Sequence, residues 1–415
     1  MPTTGRFPRP GSRDDDASPQ GSAAPPRSTP TSSSGALLVA FVALATDMLI
    51  YGIAVPVLPM FPAVAAGGGA VVGILFATYA AGLILATPLA GRWVDAVGPR
   101  GPMLIGLVVL AAATVLFSVV DPLPLLVLAR AAQGVSAAIS WVAGLALVAA
   151  TSPIRTRARN LGLVLSAVSI GVLLGPPLGG LLADLGGRHL PFVCAALLAL
   201  VDAVLRVIVL RGGTTGSGAE PARMRDVARV RGAAAVCVVV ALGAGLLAIL
   251  EPVLPLHLAR SGHGPLTAGL VFGAAVLASA CATPVAGSLT NRMPIHTLCL
   301  VGAVIGAAGF ALLGWATGLV AVIPAMALVG LGGGTVLGAI TPAMTTLGER
   351  SRPPAIGAAF ALFNLAYAGG LLLGPAISGP LTQLVGFGGA MPLLALLVLL
   401  TASASAVLIG RRLRL

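Results

Sequence analysis

Apolar residues run along this chain in long unbroken blocks instead of alternating with polar ones. The blocks occupy roughly 36–60, 69–90, 101–120, 123–150, 160–184, 190–210, 232–258, 266–290, 294–316, 319–347, 355–384 and 388–410. Crossing a bilayer takes about 20 apolar residues in a helix, so these blocks predict twelve membrane-spanning helices. The fourth, tenth and eleventh are long enough to tilt or to project beyond the hydrocarbon. The stretch from Asn160 to Gly187 contains Pro176, Pro177 and five glycines at 162, 171, 175, 179 and 180. In water that content would break a helix. Within a bilayer, neighbouring helices satisfy the freed carbonyls, and small residues let two backbones come close. Gly171, Gly175 and Gly179 recur every fourth residue and therefore line one face.

The blocks repeat. Val55-Pro56-Val57-Leu58-Pro59 matches Glu251-Pro252-Val253-Leu254-Pro255 at an offset of 196. Ala86-Thr87-Pro88-Leu89-Ala90-Gly91 matches Ala282-Thr283-Pro284-Val285-Ala286-Gly287 at the same offset, and Gly175-Pro176 matches Gly374-Pro375 at 199. A duplicated six-helix unit follows. The expected organisation is a disordered tail over 1–34, one six-helix bundle over 35–211, a Gly/Ser/Arg-rich linker over 212–231, and a second bundle over 232–415. The expected fold class is an all-α polytopic membrane protein with 12 transmembrane helices in two pseudo-symmetric bundles.

Composition agrees with this pattern. Of 415 residues 57% are hydrophobic and only 9% charged, with a mean hydropathy of +1.04; soluble domains carry about 25% charged residues. The net charge of +12 would suit nucleic acid, but the arginines collect in the tails and in the loops after even-numbered helices. By the positive-inside rule, this places both termini on the cytoplasmic side of a cell (inner) membrane and removes the nucleic-acid reading. No cleavable leader pattern opens the chain. Cys194, Cys237, Cys281 and Cys299 all fall in apolar blocks without CxxC spacing and are expected as small core residues. The four histidines show no metal-ligand spacing, and Gly332-Gly333-Gly334 is not followed by a P-loop lysine; the chain has no lysine at all. No metal, cofactor or enzymatic chemistry is expected.

Several segments resemble the major facilitator superfamily. Gly91-Arg92-Trp93-Val94-Asp95-Ala96-Val97-Gly98-Pro99-Arg100 resembles the family's loop between helices two and three, and the resemblance implies that Asp95 with Arg92 and Arg100 latches the cytoplasmic face against the other half. Arg130-Ala131-Ala132-Gln133-Gly134 resembles the family's helix-four motif, whose arginine is tied to proton coupling. Gly171 through Gly180, including Gly175, Pro176 and Gly179, is similar to the motif of its drug:proton antiporter branches. More narrowly, Phe41 to Asp47 with Val55 to Pro59, and Leu250 to Pro255, resemble helices one and seven of the vesicular amine transporters and bacterial multidrug efflux proteins. In that group the helix-one and helix-seven carboxylates, here Asp47 and Glu251, handle ammonium and protons. The group's helix-eleven acid falls at Asn364, its helix-ten acid at about Leu337, and its helix-two lysine at Tyr79.

A charge near mid-bilayer costs about 2.5–3.5 kcal/mol on insertion scales, so each calls for a function or a partner. Asp47 lies about a dozen residues into the first block and could load and release a proton. Glu251 stands beside Pro252, where a kink would bring it to the centre. Arg130 either snorkels to the headgroups or pairs with Asp47 or a substrate anion, and the second reading is the one expected. Asp202 and Arg206, four apart, can form a pair within one helix, while Asp121 and Asp184 are expected to be solvated. Tyr79, Gln133, Trp141, Asn364 and Tyr367 are the candidates for lining a substrate cavity. The expected activity is proton-coupled antiport, by alternating access, of a small amphipathic or cationic compound. Its partners are that substrate, protons and the lipid bilayer, with a monomer sufficing. The alternatives are a metabolite importer or uniporter, and a non-transporting receptor or scaffold on the same fold.

Overall fold

A computed structural model describes residues 33–210, 224–352 and 356–412; the expected tail over 1–32 and most of the linker fall outside these residues. The first half comprises α1 (Ser33–Val57), α2 (Pro62–Val97), α3 (Arg100–Val119), α4 (Leu123–Thr151), α5 (Ile154–Gly186) and α6 (Leu190–Val209). A short helix α7 (Met224–Ala228) buries Val227 and precedes the second half. That half comprises α8 (Ala233–Ala248), α9 (Leu254–Arg260), α10 (Pro265–Leu289), α11 (Ile295–Trp315), α12 (Leu319–Arg350) and α13 (Ile356–Arg412). No strand occurs among the described residues.

Among the described residues, ten helices are long and apolar enough to cross a membrane. The last, α13, is two helices joined at Gly386, whose φ of 75° reverses the chain without a loop. A further span is broken: α8 ends at Ala248, and 249–253 turn before α9 begins. Twelve crossings result. The block over 232–258 is thus not one continuous helix, because Pro252 has no N–H to give. Its repeat in the first half does the same, α1 giving way to a 3-10 turn at Leu58–Met60 beside Pro56 and Pro59.

Several expected boundaries shift. Helix α1 already begins at Ser33, inside the expected tail. Helix α2 runs on to Val97, so Gly91, Arg92 and Asp95 ride its last turns, and the supposed loop shrinks to Gly98, with φ 81°, and Pro99. Cys299 is buried, but Cys281 is exposed on the outer surface; half-buried Cys194 and Cys237 complete a set that is not uniformly core. An apolar thiol costs nothing against lipid tails.

The two glycine-proline helices hold the molecule together, each through two faces. On α5 the stripe of Gly171, Gly175 and Gly179 lies against α1, where a Cβ on Gly175 would stand 2.7 Å from the Gly52 Cα and 2.8 Å from the Leu49 oxygen. The other face of α5 crosses to the second half: a Cβ on Gly269 of α10 would meet the Pro176 carbonyl carbon at 2.7 Å, and Gly180 abuts Pro265 and Leu266. The second half repeats this residue for residue. Gly370 and Gly374 of α13 approach α8, Gly73 of α2 sits on the Pro375 carbonyl, and Gly379 sits on Gly69. The 196–199 residue offset is therefore a spatial pseudo-symmetry.

These cross-half contacts gather at the face opposite the termini, called the far face below. There the Leu266 N–H donates to Asp184 Oδ2 at 3.3 Å, and Gln383 Nε2 donates to the Gly67 oxygen at 2.5 Å. Asp184 is thus the cap of a helix in the other half, because the first N–H groups of α10 have no acceptor of their own. Asp121, also expected to be solvated, takes a forked pair of bonds from Arg188 at 3.1 and 3.0 Å. At the other ends of the same helices, Gly162 of α5 and Gly357 of α13 face open space. The described cross-half contacts of these helices are therefore those at the far face.

A packing contrast tests this account. Gly175→Leu forces α5 from α1 and is expected to cost about 1–3 kcal/mol, read as a lower melting temperature of the purified protein. Gly91→Ala, with nothing within 4 Å of its added carbon, is expected to leave the melting temperature unchanged.

Candidate functional site

Where the halves meet at mid-depth, α1, α2, α4 and the α8–α9 break bring their polar side chains together. Asp47 and Tyr51 are one turn apart on α1 and share a face. The Tyr51 hydroxyl donates to Glu251 Oε2 at 2.6 Å, a bond that joins the two halves through the centre. Glu251 reaches it because its backbone lies in the turn 249–253 and not in a continuous helix.

Arg130 of α4 is fully buried in an aromatic cage. Its guanidinium carbon stands 4.8 Å from the Phe76 ring centroid, 5.0 Å from Tyr79 and 5.4 Å from Tyr51. The rings of Tyr51 and Tyr79 lie 4.8 Å apart. A desolvated cation against ring faces gains about 2 kcal/mol, and one hydrogen bond, Nη1 to Gln133 Oε1 at 3.0 Å, fixes its direction. Gln133 in turn donates to Thr114 at 3.4 Å. Gly134 beside it lets α4 press onto the Tyr79 backbone.

Arg130 therefore neither snorkels outward nor pairs with Asp47. The cage holds it toward Glu251, with which it interacts electrostatically, and both oxygens of Asp47 are buried without a hydrogen-bond partner among the described residues. The charges within reach of Asp47 belong instead to α6, Arg206 and Asp202. These two form the expected pair within one helix: Arg206 Nε and Nη2 bond Asp202 at 3.0 and 2.5 Å, and Nη1 donates to the Met103 oxygen at 2.8 Å. Both are fully buried.

Of the expected cavity residues, Tyr79, Gln133 and Tyr367 belong to this centre; Tyr367 interacts with Glu251 and Tyr79. Asn364 is half-buried one turn before Tyr367 on α13. Trp141 is placed elsewhere. Two turns along α4 from Gln133, it packs on the cluster around Val39, Ala43, Leu147 and Val164 near the face of the termini, with Nε1 unpartnered. Asp95 and Arg92 are exposed, and Asp95 forms no ion pair among the described residues. Arg100 begins α3. Gly171, Gly175, Pro176, Gly179 and Gly180 act as packing surfaces.

Tyr51 and Phe76 were missed from sequence. A signal existed for Tyr51: the chain has only three tyrosines, at 51, 79 and 367, all inside apolar blocks, and Tyr51 stands four residues from Asp47. Phe76 carried none, being one of 11 phenylalanines in a chain of apolar blocks.

Comparison with known proteins agrees with this architecture. The chromaffin granule amine transporter of Rattus norvegicus is 28% identical over 325 residues, covering 76% of this chain and 61% of the relative. The probable vesicular acetylcholine transporter-B of Danio rerio is 35% identical over 184 residues, 42% of this chain and 37% of the relative. The chain thus spans about three-fifths or less of these relatives' own length. Among solved structures, a bacterial homolog to the human lysosomal transporter Spinster, in an inward-facing and occupied conformation, superposes with a TM-score of 0.73 at 16% identity, over 91% of this chain and 96% of that one. These relatives are transporters and not enzymes. The family model of the Major Facilitator Superfamily matches residues 39–375, and with twelve crossings in two repeated halves around a buried polar centre, the chain belongs to that superfamily.

Proposed function

We propose that the protein is a proton-coupled antiporter that exports a small amphipathic organic cation by alternating access. One observation carries this reading: Asp47, buried at the middle of α1, has both oxygens without a hydrogen-bond partner among the described residues, while Arg206 is bonded to Asp202 and Arg130 is held in its aromatic cage. A buried carboxylate without a partner needs a cation, and either a proton or an ammonium supplies one. The names of the relatives, amine and acetylcholine transporters, agree with a cationic cargo. The arginine-rich loops support termini on the cytoplasmic side of a cell membrane. In that orientation the structure has its outer face shut by the α5–α10 and α2–α13 contacts and its inner face parted. A monomer contains the whole path.

The cycle follows from these parts. Cargo enters from the cytoplasm and its cationic group meets Asp47. Closure of the inner face engages Asp95 and its arginines, and the far-face glycine-proline contacts part. Outside, a proton replaces the cargo on Asp47 and the protein returns. Glu251, Tyr51 and Arg130 join the halves at the centre, so they sense which face is open.

Two expected outcomes check this. In proteoliposomes with an imposed pH gradient, Asp47→Asn is expected to abolish gradient-driven cation transport while leaving the protein folded; transport by that variant equal to wild type would remove Asp47 from the mechanism. Tyr51→Phe deletes a hydrogen bond to a carboxylate, worth about 1.5–3 kcal/mol. Transport rate is expected to fall roughly 10- to 100-fold, measured as initial uptake at saturating cation.

A further inference from the structure

Five acidic or basic side chains are buried among the described residues: Asp47, Arg130, Asp202, Arg206 and Glu251. They are three carboxylates and two arginines. Neither arginine bonds Asp47, although Nε and Nη2 of Arg130 have no hydrogen-bond partner among the described residues. Arg206 holds Asp202 through two bonds and spends its remaining donor group on Met103. Arg130 lies in its cage, and Glu251 faces it through Tyr51, whose hydroxyl bonds the carboxylate and whose ring meets the guanidinium. Asp47 is left over.

We infer that the interior carries one uncompensated negative charge, at Asp47, and that the protein exchanges one proton for one monovalent cation with no net movement of charge. This rests on the antiport reading above and adds its stoichiometry. The groups around Asp47 are Tyr51 on its own helix, Tyr79 from α2, and Asp202 with Arg206 from α6; Arg130 of α4 is caged against Tyr51 and Tyr79. Helix α5 meets α1 at Ala45, Met48 and Leu49 through Gly171 and brings no charge there. Only Asp47 among these carboxylates has no bonded partner among the described residues, so it alone can change occupant without breaking a hydrogen bond to Tyr51 or to Arg206.

The balance closes in both strokes. Outward, Asp47 crosses as a carboxylate with the cargo cation, a neutral unit. At the far side the cation leaves and one proton binds, making the neutral acid. Inward, that acid crosses and the proton leaves at the cytoplasmic face. One positive charge moves each way per cycle. Crossing with an empty, ionised Asp47 is suppressed because it would carry a bare charge through the closed centre.

The test uses wild-type protein in proteoliposomes and ethidium, a permanently charged monocation, under a pH gradient with the potential clamped and then under a potential with the pH clamped. The expected result is tenfold accumulation per pH unit and none from the potential. Hundredfold accumulation per pH unit, with a further tenfold for each ~59 mV, would mean a second proton and would overturn the inference while leaving antiport standing. Ethidium unmoved by either gradient would overturn the antiport reading at this site. The carboxyl count is then decided by infrared difference spectra of the protein in lipid between high and low pH, which need no cargo. One buried carboxylic acid band, absent in Asp47→Asn and retained in Asp202→Asn and Glu251→Gln, supports a single exchanging carboxylate. Two bands, or a band surviving in Asp47→Asn, overturn it.

Discussion

The close approach of α5 to α10 and of α13 to α2 is the constraint on which the rest of the structure depends. Side chains larger than hydrogen at Gly73, Gly180, Gly269 or Gly379 would hold these backbones apart at the far face. Lipid tails are as apolar as the helices, so burial of apolar surface gives no drive for association here, and fit between surfaces has to supply it. The prolines in the same segments remove N–H groups that would otherwise complete the helices, and leave carbonyls of Pro176 and Pro375 against facing glycines. One helix thus serves two tasks. Its glycine stripe grips the first helix of its own half, and its proline face packs on the other half.

The centre is built differently from this symmetric frame. Duplication placed equivalent backbones in both halves, but the charges are not duplicated: Asp47, Arg130, Asp202 and Arg206 belong to the first half, and Glu251 alone to the second. Its repeat partner is Val55. The second half contributes a single acidic contact through a broken helix, and the first half holds the aromatic cage and the unpartnered carboxylate. The frame is therefore symmetric, and the buried polar centre is not. Tyr51 connects the two, since its ring belongs to the Arg130 cage and its hydroxyl belongs to Glu251.

Much of this was legible in advance. Twelve blocks, a repeat and an arginine bias are one-dimensional signals, and the helices formed where the blocks stood. The local breaks were less legible. Proline at 252 marked a kink, but the separation of α8 from α9 depended on how the turn could hydrogen-bond to itself. Arg130 was expected to pair with Asp47 or with a substrate anion, and the first of these pairings is absent among the described residues: charge alone favours that contact. The competing term was the energy of three ring faces around a guanidinium, which requires knowing that Tyr51, Phe76 and Tyr79 converge. Asp184 is exposed, as its place at a helix end implied, but its acceptor role toward a helix start 82 residues away was not legible.

By itself the sequence determined that the chain spans a membrane, how many times, in which repeated units and with which ionisable groups inside, because hydrophobicity and periodicity act locally along a helix. The tertiary structure alone decided which buried charge meets which. Partnership between groups on different helices is set by crossing angles and by the few ångströms that glycines allow, and neither is written in the spacing of residues along the chain. It also decided which face is closed. That closure lies in the packing of α5 on α10 and of α13 on α2, which join residues far apart in the chain.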